Sequence, residues 1–68
     1  MEFTHDNYNF KIHNGVIEKG IKKFKITVDK GGEDIISLKL NAISKMTNEL
    51  IEKEIKKNWE QTKKTFNL

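Results

Sequence analysis

Cysteine and arginine are both absent from this chain of 68 residues. Without cysteine there is no disulfide framework, no thiolate nucleophile and no cysteine-ligated zinc site. Without arginine the chain lacks the side chain that most often reads guanine in DNA. No apolar run approaches the roughly 18 residues of a membrane-spanning helix, and residues 1–6 lack the basic and apolar blocks of a signal peptide. The sequence therefore predicts a cytoplasmic protein that does not associate with membranes.

Lysine is the most abundant residue, with 13 copies against 10 acidic residues and a net charge of +3. Residues with AT-rich codons (Phe, Tyr, Met, Ile, Asn and Lys) fill 36 of the 68 positions, whereas Gly, Ala, Arg and Pro fill five. This bias indicates an AT-rich coding genome, as in many low-GC bacteria and their phages, and it accounts for much of the lysine content. The lysines occur in both halves of the chain, so neither half is a basic tail.

Alternating apolar and polar residues predict a meander of three antiparallel β-strands over about 8–13, 16–28 and 35–40. Asn14-Gly15 is a strong signal for a two-residue hairpin turn between the first two strands. That turn would place Ile12 opposite Ile17. Within the second strand the apolar positions switch from odd to even numbers, which predicts a bulge at Gly20.

The second and third strands have a well-defined predicted register. A glycine-centred turn over 29–34 would pair Val28 with Ile36 and would set the remaining apolar residues of the two strands opposite one another, namely Ile26 with Leu38 and Phe24 with Leu40. The same register places Lys25 directly opposite Lys39 on the other face. Several apolar pairs in one register support the hairpin, because cross-strand pairs are the units that stabilise a sheet.

The last third of the chain has the periodicity of an amphipathic helix over about 48–66, with Thr47 as its N-cap. The sequence thus predicts an α+β fold, a single βββα domain over 1–68 with the helix on one face of the sheet. The predicted core consists of Tyr8, Phe10, Ile12, Ile17, Ile21, Phe24, Ile26, Val28, Ile36, Leu38, Leu40, Ile51, Ile55, Trp59 and Phe66.

Residues that could support catalysis are few. His5 and His13 are the only histidines, and their spacing to Asp6 matches no metal-ligand pattern. Ser37 and Ser44 lack the flanking glycines of a nucleophile elbow. We therefore expect no enzymatic activity, no cofactor and no metal.

Lysines form one candidate binding surface on the outer face of the predicted sheet. Lys25 faces Lys39, with Lys23 and Lys11 nearby, and like charges in opposition destabilise a sheet. One interpretation is an anion or nucleic-acid site. The other is a solvated lysine face in a lysine-biased protein.

Apolar residues before the helix form a second candidate surface. If the helix extended back to residue 42, Ile43, Met46 and Leu50 would form a patch that points away from the sheet, as a site for a partner protein or for a second copy of the chain. Alternatively, residues 41–47 are a loop that closes the core and leaves only Leu50 exposed.

These features favour a small non-catalytic protein that binds another protein and inhibits or adapts it. Small proteins of this composition are often encoded by phages or mobile elements, and anti-CRISPR inhibitors are one such class. No motif identifies a partner here. The alternative function is a nucleic-acid-binding accessory protein that uses the lysine-rich face.

Overall fold

The computed structural model describes residues 1–43 and 45–68 as an antiparallel sheet followed by one helix. Each strand pairs only with its neighbours in the chain, and the helix packs on one face of the sheet. The predicted α+β class is confirmed, but the predicted strand number of three is wrong. The elements are β1 (Glu2–His5), β2 (Tyr8–Glu18), β3 (Ile21–Lys30), β4 (Glu33–Ile43) and α1 (Asn48–Phe66).

The strand that the sequence patterns missed is β1. It pairs antiparallel with the first half of β2 through a two-residue turn at Asp6-Asn7, where both residues have positive φ, as a type I′ turn requires. Phe3 stacks on Phe10 with ring centroids 4.8 Å apart. Four residues are too few to establish a period-two pattern, and this explains why alternation did not reveal β1.

The turn between β2 and β3 lies at Lys19-Gly20 and not at Asn14-Gly15. β2 therefore continues past the predicted end at residue 13, and Ile12 pairs with Ile26 instead of Ile17. The observed register places buried residues of β2 opposite buried residues of β3 beneath the helix. This gain in apolar burial outweighs the local preference of Asn-Gly for a turn.

The extra residue in this hairpin is a bulge in β2, where the register shifts between Asn14 and Ile17. The predicted bulge at Gly20 is wrong, because that glycine lies in the turn. At Gly15 a Cβ atom would lie well inside contact distance of the Lys23 carbonyl oxygen. Only glycine lets the two strands approach so closely at this point.

The predicted register between β3 and β4 is confirmed. The apolar pairs lie opposite each other as expected, and Lys25 lies opposite Lys39. The two strands are joined by Gly31-Gly32, both with positive φ, as the glycine-centred turn predicted. β4 is longer than its predicted bounds of 35–40, because its pairing with β3 continues to Ile43 opposite Ile21. β3 is shorter than predicted, because the strand begins at Ile21 and not at residue 16.

The predicted helix over 48–66 is confirmed. Thr47 is its N-cap, and the Thr47 hydroxyl oxygen accepts a hydrogen bond from the Leu50 amide at 3.3 Å. At the other end Asn67 adopts the left-handed conformation, and its amide hydrogen-bonds to the carbonyls of Lys63 and Lys64. Both ends thus satisfy backbone groups that a helix leaves unpaired.

The core is built around Trp59, whose indole packs edge-on against Tyr8 and Phe10 at centroid distances of 5.1 and 5.0 Å. Three predicted core residues, Ile17, Ile21 and Phe66, are exposed. Ile21 alternates with the buried residues of β3 and so lies on the face of the sheet opposite α1, and Ile17 lies after the bulge in β2, outside the buried core. The buried residues are Phe10, Ile12, Phe24, Ile26, Val28, Ile51 and Trp59, and Phe3, Tyr8, Ile36, Leu38, Leu40, Ala42, Met46 and Ile55 pack against them.

Candidate functional site

β4 forms one edge of the sheet, since it pairs with β3 on one side and with no other strand among the described residues. Such an edge presents a row of unpaired backbone N–H and C=O groups. Proteins usually protect long edges with charged residues, proline or bulges. Between Ile35 and Ile43 this strand has one charged residue, Lys39, and no proline. β4 has a bulge only near its start, where the register with β3 shifts between Val28 and Asp29. From Ile36 onward the edge is therefore long and weakly protected.

A groove of about 460 Å³ lies along this edge, between β4 and α1. On the inner face of the sheet, alternate residues of β4 are half-buried and contribute apolar side chains to the groove, while α1 contributes both apolar and polar ones. Only two lining residues are charged, and they have opposite signs. The lining residues are Ile26, Leu38, Lys39, Leu40, Asn41, Ala42, Ile43, Met46, Glu54, Ile55, Asn58 and Thr62.

The structure brings two of the three predicted patch residues into this groove. Ile43 and Met46 both line it, with Ile43 62% exposed and Met46 packed against the core. Leu50 is 44% exposed and does not line the groove. It precedes Glu54 by one helical turn, so it lies on the same side of α1 as the groove-lining Glu54 and Asn58.

Neither interpretation of residues 41–47 describes the structure completely. Residues 41–43 are the end of β4 and the helix begins at Asn48, so the helix does not extend back to residue 42. Met46 closes the core as the loop interpretation expected, whereas Ile43 stays exposed. Ser44 lies in this range but outside the described residues. The structure therefore does not bear on whether Ser44 could act as a nucleophile.

The predicted lysine surface lies on the face of the sheet opposite α1. Lys25 is flanked by His13 on β2 and by Lys39 on β4, so three basic side chains form a row across three strands. Lys11 and Lys23 do not add unpaired positive charge to this surface, because each has an acidic partner. The Lys11 Nζ lies 3.7 Å from a Glu2 carboxylate oxygen, and the Lys23 Nζ lies 3.3 Å from one of Glu18.

Several other lysines have structural partners. Lys22, Lys30 and Lys56 each place an ammonium group over an aromatic ring, at 5.0 to 5.5 Å from the centroid. Lys25 and Lys39 form no salt bridge with any described residue. They are therefore the pair of the predicted surface whose charge is not offset locally.

A hollow of about 400 Å³ adjoins this pair at the bulge in β2. At the bulge the main chain of Gly15 lies close to Lys23 of β3, and the hollow opens beside it. The lysine pair contributes two of the lining residues. The full lining is His13, Asn14, Gly15, Val16, Lys23, Phe24, Lys25, Lys39 and Asn41.

One polar cluster has no counterpart among the sequence-based predictions. The Trp59 Nε1–H donates a hydrogen bond of 2.9 Å to Oδ2 of Asp6, and the Lys63 Nζ lies 2.8 Å from the same oxygen. Hydrogen bonds from Lys63 and Trp59 lower the pKa of Asp6, and the bond to Asp6 raises the pKa of Lys63. This contact spans 53 residues, and no local pattern connects residues so far apart.

Residues 1–43 and 45–68 contain no group of three or more His, Asp or Glu side chains that could hold a metal ion. In the same part of the chain, α1 is too polar to cross a bilayer. The chemistry that this arrangement offers is recognition: unpaired backbone groups beside an apolar groove, and an unpaired lysine pair beside a hollow.

Comparison with known proteins found no matching protein family, no matching curated protein and no matching solved structure.

Proposed function

We propose that this chain is a non-catalytic binding protein that captures an extended segment of another protein along β4 and thereby inhibits or adapts that protein. The observation that carries the proposal is the unpaired edge of β4 next to an apolar groove of about 460 Å³. The edge supplies main-chain hydrogen bonds, which give affinity. The groove supplies side-chain contacts, which give specificity.

The occupant that fits this site is a β-strand with apolar side chains at alternate positions. A strand added to β4 would point every second side chain toward α1, into the groove lined by Leu38, Leu40 and Ile55. The only charged residues in the lining are Lys39 and Glu54, which carry opposite charges. A nearly neutral groove favours an uncharged segment over an acidic or basic one.

The mechanism would be steric. A partner segment held as a fifth strand is unable to make its own contacts, which would inhibit the partner or link it to a third protein. Ile43 and Met46 contact the segment at one end of the groove, where Leu50 extends the helix wall. Genes for small AT-biased proteins are common in phages and mobile elements, and such an origin agrees with an inhibitor of a host protein.

A displayed library of random peptides tests this function and does not require an identified partner. We expect selection on the immobilised protein to enrich segments with apolar residues at i, i+2 and i+4. Ile43→Asn should weaken the binding of an enriched peptide about 5- to 10-fold, the range for a contact worth about 1 kcal/mol or slightly more. Ile17→Asn is the matched control, because Ile17 has a similar exposure, 59% against 62%, and lies outside the groove.

Backbone amide shifts in an NMR titration locate the peptide. Shifts concentrated on β4 and α1 would support the proposal, whereas shifts concentrated on β1 would contradict it. Equal losses in the two isoleucine variants would also contradict it. If Leu50→Asp abolishes binding while Ile43→Asn does not, the partner docks on the helix and not on the strand edge. Sedimentation of the free chain detects a second copy as the competing occupant, since a dimer through β4 would have twice the mass.

A further inference from the structure

The lysine pair on the outer face of the sheet lies outside the proposed peptide site and has a different chemistry. Lys25 and Lys39 are direct cross-strand neighbours, and neither forms a salt bridge with another described residue. Cross-strand like charges destabilise a sheet, whereas an opposite pair would stabilise it. Two ammonium groups held side by side would gain from an anion that binds between them.

The surroundings of the pair add donors and space. His13 lies beside Lys25 in the register, with its Nε2 3.3 Å from the Thr27 hydroxyl oxygen. The hollow at the β2 bulge, about 400 Å³, adjoins both lysines. None of the residues that line this hollow carries a carboxylate. Of the nearby carboxylates, that of Glu18 pairs with Lys23, and Asp34 lines a separate hollow together with Lys25. A negatively charged ligand can therefore approach Lys25 and Lys39 from the hollow at the bulge without meeting a carboxylate in its lining.

We infer that Lys25 and Lys39, with His13 at their side, form a site for the phosphate backbone of nucleic acid. A phosphodiester oxygen accepts hydrogen bonds from ammonium groups, and contacts to phosphate position a protein on a duplex without reading its sequence. The chain has no arginine, and the lysine row has no aromatic ring apart from that of His13. Base reading and base stacking are therefore disfavoured, so the binding is independent of sequence.

The number of phosphates contacted sets the salt dependence. With two or three contacts, affinity for a duplex should fall by about 10- to 40-fold between about 50 and about 200 mM salt, because each neutralised phosphate releases counterions. Fluorescence anisotropy of a labelled duplex of random sequence measures this fall. At the lower salt, the double variant Lys25→Gln and Lys39→Gln should lose at least about 10-fold in affinity, with a shallower salt slope.

The matched control is the double variant Lys53→Gln and Lys57→Gln. Both of these lysines are exposed on α1 and lie outside the described salt bridges, so the control changes the net charge by the same two units. It should bind the duplex as the wild type does. Circular dichroism of all three proteins confirms that the fold is retained.

The failure of this site can be distinguished from the failure of the peptide groove. Lys39 lines both surfaces, but of these two surfaces Lys25 lines only the hollow and Ile43 only the groove. Lys25→Gln alone should therefore weaken duplex binding and leave peptide binding unchanged, and Ile43→Asn should do the opposite.

Three results would overturn the inference: no duplex binding at the lower salt, equal losses in the two lysine double variants, or duplex-induced amide shifts away from Lys25 and Lys39. A nucleoside monophosphate distinguishes the source of the phosphate. If the nucleoside monophosphate shifts the NMR signals of the Lys25 and Lys39 backbone amides while the duplex does not bind, the site takes a small phosphorylated molecule and the inference is wrong. If it competes with bound duplex, the phosphate group is the recognised element.

Discussion

The carboxylate of Asp6 joins the first hairpin to the C-terminal half of α1. It accepts a hydrogen bond from the Trp59 indole and pairs with Lys63. Asp6 has positive φ in a tight turn, a conformation that Asp and Asn tolerate better than other non-glycine residues. The same residue thus closes the turn and holds the helix against the sheet.

The carboxylate of Asp6 makes the stability of the fold depend on pH in the acidic range. Its pKa lies below the ordinary value of 3.8, first because of the hydrogen bond with Lys63 and then because of the one with Trp59. A lowered folded pKa means that the carboxylate stabilises the fold above about pH 4, and that this contribution is lost as the pH falls through the folded pKa. Asp6→Asn should lower the melting temperature at pH 7, and the difference from the wild type should shrink as the pH falls through the folded pKa of Asp6.

Fluorescence of Trp59, the only tryptophan, reports both unfolding curves. Asparagine keeps an oxygen for the indole N–H and tolerates the positive φ, so the variant isolates the charge. A melting-temperature difference that persists unchanged at the lowest pH would show that the carboxylate charge is not responsible.

Among the elements, α1 and the β3–β4 hairpin were predictable and the β2–β3 hairpin was not. The helix has caps and periodicity within its own residues, and the β3–β4 turn follows directly from Gly31-Gly32, so local signals agreed with the final packing. At Asn14-Gly15 the local signal favoured a turn, but the longer hairpin buries more apolar surface. The Lys25–Lys39 pair followed from the correct register. The groove beside β4 depends on where α1 crosses the sheet, and periodicity does not specify that position.

The bulge in β2 depends on Gly15. We expect Gly15→Ala to destabilise the fold by about 1–3 kcal/mol, the usual cost of forcing atoms into a filled space, because the new Cβ meets the Lys23 carbonyl oxygen. Urea denaturation measures the change. The neighbouring Asn14→Ala is the control, since Asn14 is exposed on the same strand. If Gly15→Ala is as stable as the wild type, the strands are not in close contact at the bulge.

For the whole molecule, the two faces of the sheet have different roles. The inner face carries the buried residues and the helix, and the outer face carries exposed side chains that are mostly polar or charged, with Ile21 and Ile43 as apolar exceptions. A chain of this size buries only about 60% of its unfolded surface, so its stability margin is small. The repulsion between Lys25 and Lys39 on the outer face therefore lowers a free energy of unfolding that is already small.

Lys25→Glu should separate stability from binding. Replacing the like-charge pair with an opposite pair should raise the free energy of unfolding by about 0.2–1 kcal/mol while duplex binding is lost. Urea denaturation and anisotropy on the same protein measure the two effects. A variant that is less stable than the wild type would show that Lys25 and Lys39 do not repel each other in the folded state.

The simple strand order has a consequence for how the chain folds. Each hairpin closes through two residues, and each strand pairs only with its neighbours in the chain, so the sheet forms with little loss of loop entropy at each step. The chain has no proline, so no peptide bond must isomerise on the timescale of seconds to minutes. The contacts of Asp6 with Trp59 and Lys63 have the longest sequence separations among the side-chain hydrogen bonds and salt bridges of the described residues, and they form only once the helix docks. Docking of α1 is thus the step that completes the native structure.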